Sequence, residues 1–219
     1  MTDAAGRVYV FVEGHGEIEA ISNLLNRLTQ DVAPSLPPFA PPSRITGGTH
    51  PDKIAALTQR VRKAADARAL LVIHDSDGAC PARTGPTLAE RLARETLQFP
   101  VAAVIAHPEY ESLFLASLPT LAGRPLPGPG GDRPGIVDGA SWEGPVDGRR
   151  GVKEQLSARM PPGRIYKPSI DQRPLTRLVD LALVRRSGLA WFETLERALR
   201  FLAEHQGIAA ATYPPARGA

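Results

Sequence analysis

The acidic residues of this chain fall where a reaction would need them. Glu13 follows the apolar run Arg7-Val8-Tyr9-Val10-Phe11-Val12, and Asp75 and Asp77 close the run Ala69-Leu70-Leu71-Val72-Ile73-His74. Glu109 and Glu111 come just after a third apolar run at 101–106. Each run reads as a buried strand, and in an open α/β sheet ligands bind beyond the carboxyl ends of the strands. Carboxylates converging on one edge repel one another unless a divalent cation neutralises them, and an all-oxygen donor set suits Mg²⁺ or Mn²⁺. The expected ligand set is Glu13, Asp75, Asp77 and Glu111. In Asp75-Ser76-Asp77 the i, i+2 spacing lets both carboxylates leave an extended segment in the same direction, with Gly78 permitting a sharp exit. The same tripeptide also serves as an Asx turn or a helix cap.

Helical geometry separates Glu109 from Glu111. Two residues subtend about 200° on a helix, so only one of the pair can face the site. Tyr110, Phe114, Leu115 and Leu118 define an apolar arc that contains Glu111 and leaves Glu109 outside. Glu17 is a supporting candidate at the start of the first helix, where an acid is also favoured by the helix dipole alone. The turn Gly14-His15-Gly16 is not a dinucleotide fingerprint, because Glu19 occupies the third glycine position. His15, His74 and His107 adjoin strand ends without the paired spacing of a zinc site. Lys153 and Lys167 are candidate phosphate contacts, as ordinary solvated cations also would be.

The elements positioning these residues form an α/β pattern. A strand at 7–12, a glycine turn and a helix from Glu17 lead into a proline-rich connector at 31–43, a short segment near Arg44 and a helix from 51 to about 66. A second buried strand at 69–74, a helix at about 87–98 and the strand at 101–106 complete a mainly parallel sheet flanked by helices. Residues 1–118 are read as this core and 119–151 as a glycine- and proline-rich loop or lid. Residues 152–219 are read as a helical C-terminal subdomain packed on the core, with helices near 152–160, 174–186 and 192–202.

Hydrophobic residues at 42% and charged residues at 22% exclude a disordered chain. No apolar run approaches the roughly 18–20 residues of a membrane helix, and the first residues lack a signal peptide's order, so a cytoplasmic protein without membrane contact is expected. The single cysteine, Cys80, excludes an internal disulfide framework and a multi-cysteine zinc ribbon. Net charge is +3, unevenly divided: residues 1–118 carry −2 and residues 119–219 carry +5. Arg149, Arg150, Lys153, Lys167, Arg185 and Arg186 in the basic half are the expected nucleic-acid surface, since a metal cluster can hold only the scissile phosphate.

Val10-Phe11-Val12-Glu13-Gly14, followed later by Val72-Ile73-His74-Asp75-Ser76-Asp77-Gly78, resembles the TOPRIM domain, whose signature is a glutamate after one strand and D-x-D after another. With Tyr110-Glu111-Ser112-Leu113 and Tyr166-Lys167-Pro168 added, the chain looks like a bacterial TOPRIM-like family classed as a domain of unknown function, number 4276. The resemblance implies a TOPRIM/Rossmann-like fold and a relationship to nucleases of the overcoming-lysogenization-defect kind. It further implies Mg²⁺-dependent cleavage of DNA or RNA with Asp75 and Asp77 as ligands and Glu13 as ligand or general acid/base. An ATPase partner protein and a role in phage defence or repair are also implied. The proline-rich connector at 31–43 departs from the pattern. Two other readings stay open: a noncatalytic TOPRIM-like module that binds nucleic acid or protein, and a nucleotide-sugar transferase using Asp75-Ser76-Asp77 to hold the metal.

Overall fold

The computed structural model describes residues 6–14, 16–45, 50–128, 130–147 and 151–215. Five strands lie in the order β2-β1-β3-β4-β5, and every pairing is parallel. They are β1 (Arg7–Val12), β2 (Ser43–Arg44), β3 (Ala67–Asp75), β4 (Val101–Ala106) and β5 (Thr212–Tyr213). Side chains alternate across this sheet. Val8, Val10, Val12, Leu71, Ile73, Ala102 and Val104 enter one apolar cluster, while Phe11, Leu70, Val72, Val101, Ala103 and Ile105 enter the other. Because both faces are covered, the strands read as continuous apolar runs rather than as alternating ones.

The second face is covered by α2 (Pro51–Arg62) and α3 (Pro81–Ala93), through Ile54, Leu57, Leu88 and Leu92. The first is covered by α1 (Glu17–Val32) together with the C-terminal helices. These are α4 (Ser112–Ala116), α5 (Leu118–Leu121), α6 (Val152–Ser157), α7 (Arg173–Leu178), α8 (Leu181–Ser187) and α9 (Ala190–Glu204). A π-helical turn at Pro168–Gln172 runs directly into α7. Ile21, Leu25 and Leu28 of α1 and Leu195, Leu199 and Leu202 of α9 share one core. The described part of the 119–151 segment is irregular but anchored, since Leu126, Ile136 and Val146 are buried in that core.

Three local features differ from the sequence pattern. Helix α3 runs over Pro81–Ala93 rather than about 87–98, because Pro81 is a favoured first position and Pro86 is accommodated inside the helix. The pattern at 174–186 divides because Asp180 caps a new helix, accepting the N–H groups of Ala182 and Leu183. Strand β5 has only two residues, too few for any periodicity. Among the described residues no helix is long and apolar enough to cross a membrane.

Candidate metal centre

Alternation along β3 divides the acidic edge between the two faces of the sheet. Ile73 points to the α1 side, so Asp75 does too, and His74 points away. Asp75 Oδ1 accepts the Tyr110 N–H at 3.0 Å. Glu17, the first residue of α1, is buried beside it and accepts a hydrogen bond from the Gly14 N–H. A Cβ on Gly14 would stand 2.6 Å from Glu17 Oε1, and one on Gly16 would stand 2.7 Å from the Pro168 carbonyl. The two glycines thus admit a carboxylate on one side and the π-helical turn on the other.

Glu111 is 1% exposed and accepts the Tyr166 hydroxyl at 3.1 Å. Lys153 Nζ, from α6, lies 3.1 Å from Glu111 Oε2 and also pairs with Glu109 Oε2. One carboxylate oxygen from each of Asp75, Glu109 and Glu111 lies within 4.8 Å of the others. Glu17 adds a fourth carboxylate whose charge reaches Asp75, against the Lys153 ammonium paired with Glu109 and Glu111.

That excess of negative charge is expressed in proton affinity. Burial, then the Glu17 and Glu111 charges, push Asp75 from an ordinary 3.8 up to about 8, against the opposing pull of Lys153 and the Tyr110 N–H. Burial likewise raises Glu17 to about 7, with Glu111 and Glu13 adding to the shift and the Gly14 N–H and Lys153 reducing it. Glu111 is raised by burial, partly offset by Lys153. For Lys153 burial works against the charged form, yet Glu111 and Glu109 outweigh it and hold the ammonium protonated. Among the described residues, three converging carboxylates, two of them paired with one lysine, form an all-oxygen donor set of the kind a hard divalent cation takes.

The sequence profile of DUF4276, a domain of unknown function, matches residues 12–200. The chain belongs to this family. In this DUF4276 protein the matched span runs from the last residue of β1 into α9, so Glu17, Asp75, Glu109, Glu111 and Lys153 all lie inside it and β5 lies outside. No curated protein matches the chain.

The expected residues of this DUF4276 chain do not all meet at one point. Glu109 belongs to the group although it was placed outside the apolar arc. The helical argument fails because α4 begins only at Ser112, leaving Glu109 in an irregular segment where the 200° relation does not hold. Asp77 is exposed in a turn with φ of 46°, since β3 ends at Asp75 and the two aspartates do not share an extended backbone. It instead borders an open cavity of about 550 Å³ with Ser76, His107 and Glu109. Ser76 Oγ donates to the Pro108 carbonyl at 3.0 Å and accepts from His107 Nδ1 at 2.9 Å. Glu13 Oε2 sits 3.2 Å from His74 Nδ1, whose proton is directed at the Asp75 carbonyl.

Among the expected phosphate contacts, Lys153 is occupied by the carboxylates. Lys167 is exposed and offers its backbone N–H to Asp171 Oδ2. Arg185 does not provide a free cation: Glu196 at 2.7 Å and Asp31 at 3.1 Å hold its guanidinium. Arg186 is exposed on α8, and Arg149 and Arg150 lie outside the described residues. Sequence reasoning missed an open basin of about 440 Å³ lined by Arg133, Arg173 and Arg177 beside Glu19. No spacing rule joins residues of the irregular segment to those of α7.

Proposed function

We propose that this protein is a divalent-metal-dependent phosphodiesterase acting on nucleic acid. The observation carrying the reading is the group Asp75, Glu109 and Glu111, whose carboxylate oxygens converge within 4.8 Å beside Lys153, while burial first and neighbouring carboxylates second raise the proton affinity of Asp75 and of the adjacent Glu17. Asp75, Glu109 and Glu111 would hold Mg²⁺ or Mn²⁺, and the bound ion would supply Lewis acidity toward a phosphoryl oxygen and toward water. Tyr166 orients Glu111 through its hydroxyl. Glu17, with a pKa of about 7, can hold or accept a proton at working pH. Lys153 offers its ammonium to a phosphate oxygen once a cation takes its place between the carboxylates. Asp77 and Glu109 line the open cavity where a phosphodiester would approach, and the basin at Arg133, Arg173 and Arg177 suits flanking phosphates. Of the TOPRIM pattern only Asp75 enters this group, so the reading rests on the carboxylates themselves, and DNA and RNA both present the required bond.

The test is a cleavage assay on single- and double-stranded DNA and RNA with millimolar Mg²⁺ or Mn²⁺. Cleavage should vanish with chelator, with Asp75→Asn and with Glu111→Gln. Activity that survives both substitutions would sink the reading. The orientation of Glu13 toward His74 and of Asp77 into a turn favours one other reading, a noncatalytic nucleic-acid-binding module. That reading would gain if metal-bound protein retained nucleic acid without cutting any substrate.

A further inference from the structure

Strand β4 has an edge that its neighbour leaves unfinished. In a parallel ladder alternate residues address opposite neighbours with their N–H and C=O groups. The Val101 N–H donates to the Ala211 carbonyl at 2.8 Å, so Val101, Ala103 and Ile105 all turn their backbone groups toward β5. On the other side the Leu70 N–H donates to Pro100 and the Ser76 N–H to Ala106, which fixes the same parity. Pairing with β5 stops at Ala102↔Tyr213, and the next two residues, Pro214 and Pro215, have no N–H to offer. The Ala103 carbonyl and the Ile105 N–H and carbonyl therefore get no partner from β5.

At this edge lies a mainly apolar cavity of about 500 Å³, within the usual size of a small-molecule site. Ala103 and Ile105 form its floor, Gly85 and Pro86 of α3 one wall, and Trp191 of α9 and Tyr213 the other. A Cβ on Gly85 would make ordinary contact with Pro214 Cγ at 3.4 Å and Ile105 Cγ1 at 3.8 Å, so a longer side chain there would enter the cavity. His107 borders this cavity and also the acidic one that holds Asp77 and Glu109.

We infer that this cavity is a nucleobase pocket, which seats one base of the substrate while its phosphate lies against the carboxylates past His107. The inference rests on the phosphodiesterase reading for that phosphate. A flat apolar slot with one acceptor and one donor two residues apart matches a base, which has two apolar faces and a neighbouring donor and acceptor on its edge. A peptide strand fits less well, because the free edge spans only Ala103 to Ile105, shorter than the usual five- or six-residue strand, and Tyr213 closes one end.

The experiment titrates AMP, CMP, GMP and UMP, and ribose 5-phosphate as the base-free probe, into chelator-treated full-length protein. Binding is followed by Trp191 fluorescence in a Trp142→Phe background. At least one mononucleotide should bind about tenfold or more tightly than ribose 5-phosphate. Gly85→Leu, which fills the slot, should erase that difference, and so should Ala190→Trp at the exposed mouth should the first variant fold poorly. Equal binding of ribose 5-phosphate and every mononucleotide, or undiminished discrimination in both folded variants, overturns the pocket. Chelation separates the two readings: discrimination without any metal-dependent cleavage leaves the pocket standing and removes the catalytic reading. Cleavage without base discrimination removes the pocket alone.

Discussion

Two buried acidic centres lie on the same side of the sheet and are built on opposite principles. Asp171, fully buried in the π-helical turn, accepts Arg133 at 3.0 Å, Arg164 at 2.9 Å and the Lys167 N–H at 2.9 Å. One carboxylate there meets two guanidinium groups and a backbone donor. At Asp75 the proportion is reversed, with Asp75, Glu109 and Glu111 converging and Glu17 buried nearby, against the one ammonium of Lys153 paired with Glu109 and Glu111. A buried acid with all its donors ties segments together, here the Tyr166-Lys167 stretch before the π-helical turn to the irregular segment at Arg133. Buried acids short of cations destabilise the fold by themselves, and a cation is proposed to complete this centre.

The largest expected effect breaks the complete centre. Asp171→Ala takes the carboxylate from the partly exposed guanidinium groups of Arg133 and Arg164, which keep their bonds to the Ile170 and Pro134 carbonyls, and should cost about 3 kcal/mol in denaturant unfolding. A cost below about 1 kcal/mol would erase the contrast. The incomplete centre should respond with the opposite sign. Because the folded-state values of Asp75 and Glu17, about 8 and about 7, lie above the ordinary 3.8 and 4.5, the folded protein binds more protons than the unfolded chain between those limits. Metal-free stability should therefore be highest near pH 4 and fall as pH rises to about 8. Asp75→Asn keeps the acceptor for Tyr110 and should gain about 1–3 kcal/mol at pH 8 while flattening the profile. A wild-type profile that rises over this range would contradict the charge deficit.

Lys153→Gln sharpens the comparison by removing the only ammonium. Metal-free stability should drop by about 1–2 kcal/mol, and the rise in melting temperature on adding Mg²⁺ should exceed that of wild type. An identical Mg²⁺ shift would mean that the ion does not compete with the lysine. Tyr166→Phe is the smallest step, a loss of about 1 kcal/mol from one hydrogen bond to Glu111, read from the denaturation midpoint.

Much of this was legible in the sequence, and the rest was hidden for physical reasons. Long apolar runs revealed β1, β3 and β4, because a strand buried on both faces needs no polar residues. Asp75 at a strand end and Glu111 inside an apolar arc do lie close to one another, and Glu17, which the helix dipole alone would also favour, is buried beside them. Glu109 was misplaced because its neighbour Ser112, not Glu109 itself, starts the helix. The turned-away Glu13 and Asp77 depend on local backbone conformation, which i, i+2 spacing does not encode. The pairing of Asp171 with Arg133 was invisible because it joins residues 38 positions apart through irregular chain.

The central claim is that Asp75, Glu109 and Glu111 hold a divalent cation, and calorimetric titration of Mn²⁺ at pH 7 tests it most directly. Performed in two buffers of different ionisation enthalpy, it should show saturable binding with release of protons, since Asp75 with a pKa of about 8 must give up its proton to bind. Asp75→Asn should weaken that binding by tenfold or more and abolish most of the proton release. Binding of equal strength in wild type and Asp75→Asn, or binding that releases no protons, would contradict the account.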